Sequence, residues 1–280
     1  MSRIFRLVLA FGLFSLVLLY DPRLISLPGA LPADPARENL GRIVYPSQLH
    51  IPWKPHFIMP DESLERLFSK RWVDVARFNR VDWRHVYPGM TIKVPQNMAD
   101  IEDYSPLPEV YEKARAYRKF ILINVTEQWI GAYEYGKRRF SMPAATGKRG
   151  YETPLGMFRI DALDKNHTSS LYDTEDGKSK YPMDYALRFY IDPDGIAYWI
   201  HARDLPGRPA SHGCIGLFDE EMQKRIYSVP SEPVLKDARR LYEWVAEDLP
   251  EPGTGTLQLL DDGPVLEITG LLPVYLEEDL

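Results

Sequence analysis

Between Phe120 and His201 the chain is divided into short runs in which apolar side chains alternate with others, each run closed by a turn signal. Successive side chains of a strand point to opposite faces, so this period commits the segment to β-structure with a buried face. Ile121, Ile123 and Val125 alternate with Leu122 and Asn124. Residues 129–135 follow a Thr126-Glu127-Gln128 turn, and Gly136-Lys137 separates them from residues 139–145. Ala144-Ala145-Thr146-Gly147 closes a strand, and residues 152–160 (ETPLGMFRI) lead into the next. Residues 185–191 and 197–201 are two more strands joined by the hairpin turn Asp192-Pro193-Asp194-Gly195. Residues 161–182 are polar and weakly patterned and are expected to form a long loop or flap over a groove. Helices are expected at 220–227 and, with one apolar face, at 234–248. Residues 265–269 are expected to add an edge strand, within an acidic tail.

Ahead of this mostly-β region lies a smaller pattern. Residues 56–59 suggest a short strand, and Asp61 is a candidate helix cap. Leu64, Leu67 and Phe68 recur at helical spacing, and a second helix is expected over 72–79. The turn Tyr87-Pro88-Gly89-Met90 then precedes an alternating strand at 91–95. The result is a βααβ unit at 51–97, so the whole chain is expected to be α+β. Residues 23–50, with Pro22, Pro28, Pro32, Pro35 and Pro46 in or beside them, and the acidic, proline-rich residues 98–119 are expected to be linkers. No internal repeat is visible.

Composition excludes several classes. A hydrophobic fraction of 45% and a charged fraction of 26% are those of an ordinary globular chain. A net charge of -6 argues against a nucleic-acid partner, which would call for a basic face. The aromatic content of 12% suits core packing better than a dedicated ligand platform. At the N-terminus, Arg3 and Arg6 precede an apolar run over 7–20, shorter than the ~20 residues of a membrane span. Residues 1–22 are therefore expected to be a signal peptide or a short signal anchor. The chain is expected to be exported to the periplasm or cell envelope, with membrane attachment only through this segment if it stays uncleaved.

Export sharpens the meaning of the one cysteine, Cys214, which has no second cysteine with which to form an internal disulfide. It sits in Ser211-His212-Gly213-Cys214, thirteen residues after His201, with glycines and prolines shaping the intervening loop. An ordinary thiol is a few per cent thiolate at neutral pH and needs a neighbouring base to act as a nucleophile. One cysteine with two nearby histidines meets the minimum for thiol acyl transfer. The six histidines show no clustered ligand spacing, so no metal and no cofactor are expected.

Two resemblances follow from these residues. ILINVTEQWIGAYEYG, PAATG, ETPLGMFRI, a histidine, a PGRPA run and SHGCIGL occur in that order over about 120–230, and this set resembles the L,D-transpeptidase catalytic domain. ESLERL, VARFNRVD and VYPGMTIKVP at 51–97 resemble a LysM domain, a module that binds peptidoglycan glycan strands, although Pro60-Asp61-Glu62-Ser63-Leu64 departs from the usual entry. A purely structural module is the alternative for 51–97. The first resemblance implies Cys214 as nucleophile and His201 as the base that activates it. His212 would position the loop or share in activation, and Ser211 and Gly213 would shape it. The N–H groups of Gly213 and Cys214 are candidate oxyanion donors. It also implies peptidoglycan stem peptides as substrate, with a tetrapeptide donor losing D-alanine.

Two departures bear on substrate choice. Ala202 and Arg203 follow the base histidine, where a glycine is usual, leaving a backbone carbonyl near Ala202 to orient the ring. Gly216 stands where the family usually places a polar residue after the cysteine. Arg208 or Arg203 would then carry the substrate-binding charge, since a guanidinium pairs well with a carboxylate. A hydrolase of the same fold and a non-catalytic wall-binding protein are the rival readings.

Overall fold

The computed structural model describes residues 39–174, 177–247, 249 and 257–275. The expected signal segment at 1–22 lies outside them, and among the described residues no helix is long and apolar enough to cross a membrane. All described residues belong to one unit spanning 34–280.

The N-terminal part is built from β1 (Ile43–Val44), β2 (Trp53–Phe57), α1 (Leu64–Phe68), α2 (Trp72–Asn79) and β3 (Thr91–Pro95). β2 and β3 pair antiparallel, with Trp53 opposite Pro95, so the two helices lie between paired strands in the chain. Helix α1 is capped by Ser63, whose hydroxyl accepts from the Arg66 N–H, and not by Asp61. Ile58, Leu64, Val75, Ala76, Phe78 and Ile92 close a core of their own. Leu40, Ile43 and Tyr45 are buried in that core. The stretch 39–50, read as linker from its prolines, is thus packed structure, because its apolar residues find a partner surface that composition does not reveal.

The larger part carries β4 (Phe120–Asn124), β5 (Trp129–Glu134), β6 (Lys137–Pro143), β7 (Gly156–Arg159), β8 (Ala162–Asp173), β9 (Lys180–Ile191), β10 (Ala197–Ala202), β11 (Ile215–Leu217), α3 (Glu220–Tyr227), α4 (Asp237–Ala246), β12 (Gln258–Leu259), β13 (Val265–Thr269) and β14 (Val274–Tyr275). Ten of these strands form two five-stranded sheets, ordered β6-β5-β4-β13-β7 and β11-β10-β9-β8-β12, while β14 pairs antiparallel with β1. Ile121, Ile123 and Val125 pack with Leu163, Leu187, Ile200, Ile215 and, from α4, Leu241 and Val245 in the main core. The opposite face of β4 is also covered: Phe120 and Leu122 join Trp129 and Tyr133 under Leu107, Ala114, Tyr111 and Tyr117. Of the stretch 98–119, expected to be a linker, Met98 and Ile101 pack on the N-terminal core and residues 104–117 cover the sheet. This explains why the residues Phe120–Ile123 are apolar without a break, as in a strand buried on both faces.

Two further expectations are corrected. Strand β13 is not at an edge; it lies between β4, to which it is parallel, and β7. Most of the expected loop at 161–182 is strand: β8 over Ala162–Asp173 and the start of β9 at Lys180. Ala162 to Thr168 pair with β9 from Arg188 back to Pro182, and the strands continue to Asp173 opposite Lys180. Their polar sequence reflects a ribbon whose outer half faces solvent and the cavity described below.

The two parts meet along a polar seam. Arg80 is fully buried, and its guanidinium donates to the Glu127 carbonyl at 2.9 Å and to Glu127 Oε2 at 3.2 Å. Asp82, also fully buried, accepts from the Leu205 N–H at 2.7 Å and Gln223 Nε2 at 2.9 Å. Tyr45 donates to the Gly207 carbonyl.

Candidate active site

Strand β10 ends in His201-Ala202, and β11 begins one residue after Cys214. The two strands are parallel, with Ile200 opposite Ile215 and His201 opposite Gly216. The connection between them must cross over and return, and it carries the 203–214 loop across the mouth of a cavity of about 750 Å³. That volume suits a sizeable ligand. Cys214, His201, His212, Arg203 and Arg208 all line it, so the sequence-selected side chains converge on one space.

The loop is held rigidly. Ser211 Oγ donates to the Cys214 carbonyl and accepts from the Gly213 N–H at 3.0 Å. Thr153 Oγ1 donates to the Gly213 carbonyl at 2.9 Å and accepts from the Gly147 N–H. The Ala210 and Ser211 N–H groups both donate to the Thr146 carbonyl. The PAATG and ETPLG stretches thus have a physical role: they form the cradle for the cysteine loop. Gly213 has φ +111°, and a Cβ there would lie 2.4 Å from the Tyr198 ring, so glycine is required twice over. The Gly213 N–H, expected as an oxyanion donor, is already committed to Ser211.

His201 is buried, with Nδ1 2.7 Å from the Ala202 carbonyl. A carbonyl can only accept, so Nδ1 carries the proton and Nε2 is left with the lone pair. Burial, reinforced by the Arg203 charge, pushes its pKa down to about 3. The same desolvation pushes the Cys214 thiol up, opposed in part by a hydrogen bond from the Trp199 backbone and by Arg203. Both groups therefore rest neutral, as thiol and imidazole. His212 is exposed, stacked on Tyr172 with ring centroids 4.7 Å apart and met edge-on by Tyr151 at 4.5 Å. Partial desolvation, then the charges of Lys148 and Arg203, lowers its pKa.

Gly216 is outside the cavity and acts by what it lacks. A Cβ at this position would meet Arg203 Cδ at 2.5 Å and Cβ at 2.7 Å. The Arg203 stem lies over the glycine, and one terminal nitrogen donates to the Ala210 carbonyl at 3.1 Å, while buried Nε has no hydrogen-bond partner. Absence of a side chain at 216 and presence of the arginine at 203 are one feature.

Several cavity residues escaped the sequence reading. His167 on β8 has Nδ1 3.0 Å from Asp164 Oδ2 and stacks on Trp199 with centroids 4.3 Å apart. His85, from the N-terminal part, has Nδ1 2.8 Å from Asp82 Oδ1 and lines the same cavity with Tyr87. Asp164 and His167 stand three residues apart in sequence, but only the hairpin brings them to the cavity. Among the described residues no group of His, Cys, Asp or Glu side chains is placed to hold a metal.

A thiol and an acceptor imidazole in one cavity, lined by β8, β9, β10 and the 203–214 loop, define a cysteine acyl-transfer class of site. The comparisons narrow this. Residues 118–265, more than half of the chain, match the YkuD L,D-transpeptidase catalytic domain, and the chain belongs to that family of cell-envelope enzymes. No curated protein matches it. Among solved structures it is similar to an L,D-transpeptidase from Xylanimonas cellulosilytica, with 18% identity and a TM-score of 0.41 over 78% of this chain and 100% of that one. It is also similar to one from Stackebrandtia nassauensis, with 23% identity and a TM-score of 0.36 over 56% of this chain. The chain covers 58% of the Stackebrandtia structure, less than two thirds of its length.

Proposed function

We propose that the chain is an exported L,D-transpeptidase that cross-links peptidoglycan by cysteine acyl transfer. The observation that carries this is the shared cavity of Cys214 and His201, with the Ala202 carbonyl fixing the imidazole so that Nε2 is the acceptor. Because thiol and imidazole both rest neutral, the thiol proton passes to His201 as sulfur attacks, not before. Sulfur bonds to the carbonyl carbon of the third residue of a tetrapeptide stem. The C–N bond to the terminal D-alanine breaks, and the proton on His201 leaves with its amine. An amine of a second stem then takes the acyl group from the thioester.

Arg203, whose guanidinium lines the cavity, is the partner for a donor carboxylate, and Arg208 adds positive charge to the same lining. His212 orders the cavity rim between its two tyrosines. The N–H of Cys214 is the remaining local oxyanion donor. Residues 1–22 deliver the chain to the periplasm or envelope, as a cleaved signal or as an anchor. The βααβ unit at 51–97 is a LysM-like contact to glycan strands, with Phe57 and Met59 more than half exposed on one flank. Phe57→Ser with Met59→Ser in the intact chain should then weaken pull-down on isolated cell walls; unchanged retention would mean that the unit serves packing alone.

The activity is tested by incubating the full chain with purified tetrapeptide muropeptides and reading products by mass spectrometry, beside Cys214→Ala. Cross-linked dimers that have lost D-alanine, absent from the variant, are expected. Trimmed monomers without dimers would make the chain a hydrolase. No Cys214-dependent product would overturn acyl transfer on this substrate.

A further inference from the structure

We propose that His167, oriented by Asp164, is the base of the second half-reaction and takes the proton from the incoming acceptor amine. The inference rests on the transpeptidase reading and divides its two halves between two histidines. Three observations converge on it. His167 and Cys214 line the same cavity. The His167 ring stacks on Trp199, the residue whose backbone hydrogen-bonds the Cys214 thiol, so imidazole and thiol flank one residue. The Asp164 carboxylate accepts from Nδ1 at 3.0 Å, which leaves Nε2 as a lone pair.

The charges around the two histidines suit them to different tasks. His201 has the Arg203 guanidinium and the His167 ring as its electrostatic neighbours, both of which oppose a positive charge on it. It can relay a proton during a transition state but is a poor place to keep one. An acceptor amine arrives as an ammonium, and one proton must leave before nitrogen can attack. Beside Asp164, His167 is partly exposed and can pass that proton on to water.

The ammonium gives one proton to His167 Nε2, and the neutral nitrogen attacks the thioester carbonyl carbon. The C–N bond forms and the C–S bond breaks, with its electron pair going to sulfur. The nitrogen's second proton passes to that sulfur and restores the Cys214 thiol. His167 then releases its proton to solvent. Asp164 is a positioning residue, since it holds the ring and touches neither substrate.

The test separates the halves in the full chain. His167→Gln keeps a side chain able to donate to Asp164. Its rate of D-alanine release in the first turnover should stay within a few-fold of wild type. Transfer to an amine acceptor should fall at least ~100-fold, the low end of what a positioned base contributes, so that the Cys214 thioester accumulates in intact-protein mass spectra. In His167→Ala, added imidazole should restore part of the transfer rate, which a packing defect would not permit. Equal loss of both halves without imidazole rescue, or no loss of transfer, would overturn the assignment. Failure of wild type to release D-alanine at all is a different result: it removes the transpeptidase reading, and this inference with it.

Discussion

Gly216→Ala isolates the feature that most distinguishes this site. The added Cβ would lie 2.5 Å from Arg203 Cδ and 2.7 Å from its Cβ, distances that real carbon atoms do not adopt. The Cδ contact could be relieved by rotating a flexible stem, but the Cβ contact cannot, because Cβ is fixed to the β10 end. Strand β11 has little freedom to retreat: the Gly216 N–H and carbonyl are both bonded to Ala145 at 2.9 Å. Overpacking of this kind costs about 1–3 kcal/mol. The gain from removing a glycine within a strand offsets about 0.5–1 kcal/mol. A net loss of about 1–2 kcal/mol is expected, read as a lower urea midpoint at unchanged slope. Displacing the guanidinium should also raise KM for a tetrapeptide donor about 10-fold or more, the worth of one charge-assisted hydrogen bond. The decisive measurement is the double variant. With Arg203→Gly already in place neither Cβ nor stem is left to collide with, and Gly216→Ala should then cost less than ~0.5 kcal/mol or stabilise slightly, while donor binding stays weak. If Gly216→Ala costs the same in both backgrounds, the two residues are not coupled and the reasoning fails.

Three other outcomes are expected. Gly213→Ala combines a backbone at φ +111° with a contact 2.4 Å from Tyr198; it should destabilise by ~2 kcal/mol or more in denaturant melts and abolish D-alanine release. Asp219 caps α3 through the Met222 N–H, yet burial pushes its pKa up from 3.8 to about 7. The unfolded carboxyl ionises first as pH rises, so stability should fall between pH 4 and 7, and Asp219→Asn should flatten that slope in pH-dependent melts. Arg80→Ala leaves the buried Glu127 carboxylate without its guanidinium, and should cost about 3–5 kcal/mol in a transition that far-UV and tryptophan signals report together. Separate transitions for the two signals would count against a shared seam.

Much of this was legible in the sequence where a local rule decides the outcome. Ile121, Ile123 and Val125 alternate because one face of β4 meets the core, and Asp192 to Gly195 closes a hairpin with the Asp192 N–H donating to the Ile196 carbonyl. The lone thiol and its flanking histidines were visible as a pattern. The β8–β9 ribbon was not, since Lys165, Asn166, Thr168 and Ser170 give its outer strand no apolar period. The fit of Arg203 over Gly216 depends on the parallel register of β10 and β11, which no stretch of sequence announces. Nor could the partners of Asp82 be foreseen, as Leu205 and Gln223 lie more than a hundred positions away.

Buried charge along the seam has a consequence for how such a chain can change over generations. A cassette joined by a tether can be duplicated, lost or exchanged without harm to its neighbour. Here, removing residues 39–97 would strip His85 and Tyr87 from the cavity wall and strand Glu127, Leu205 and Gln223 without their partners. A descendant that discards the N-terminal part would expose the Glu127 carboxylate to water and leave the cavity without part of its lining.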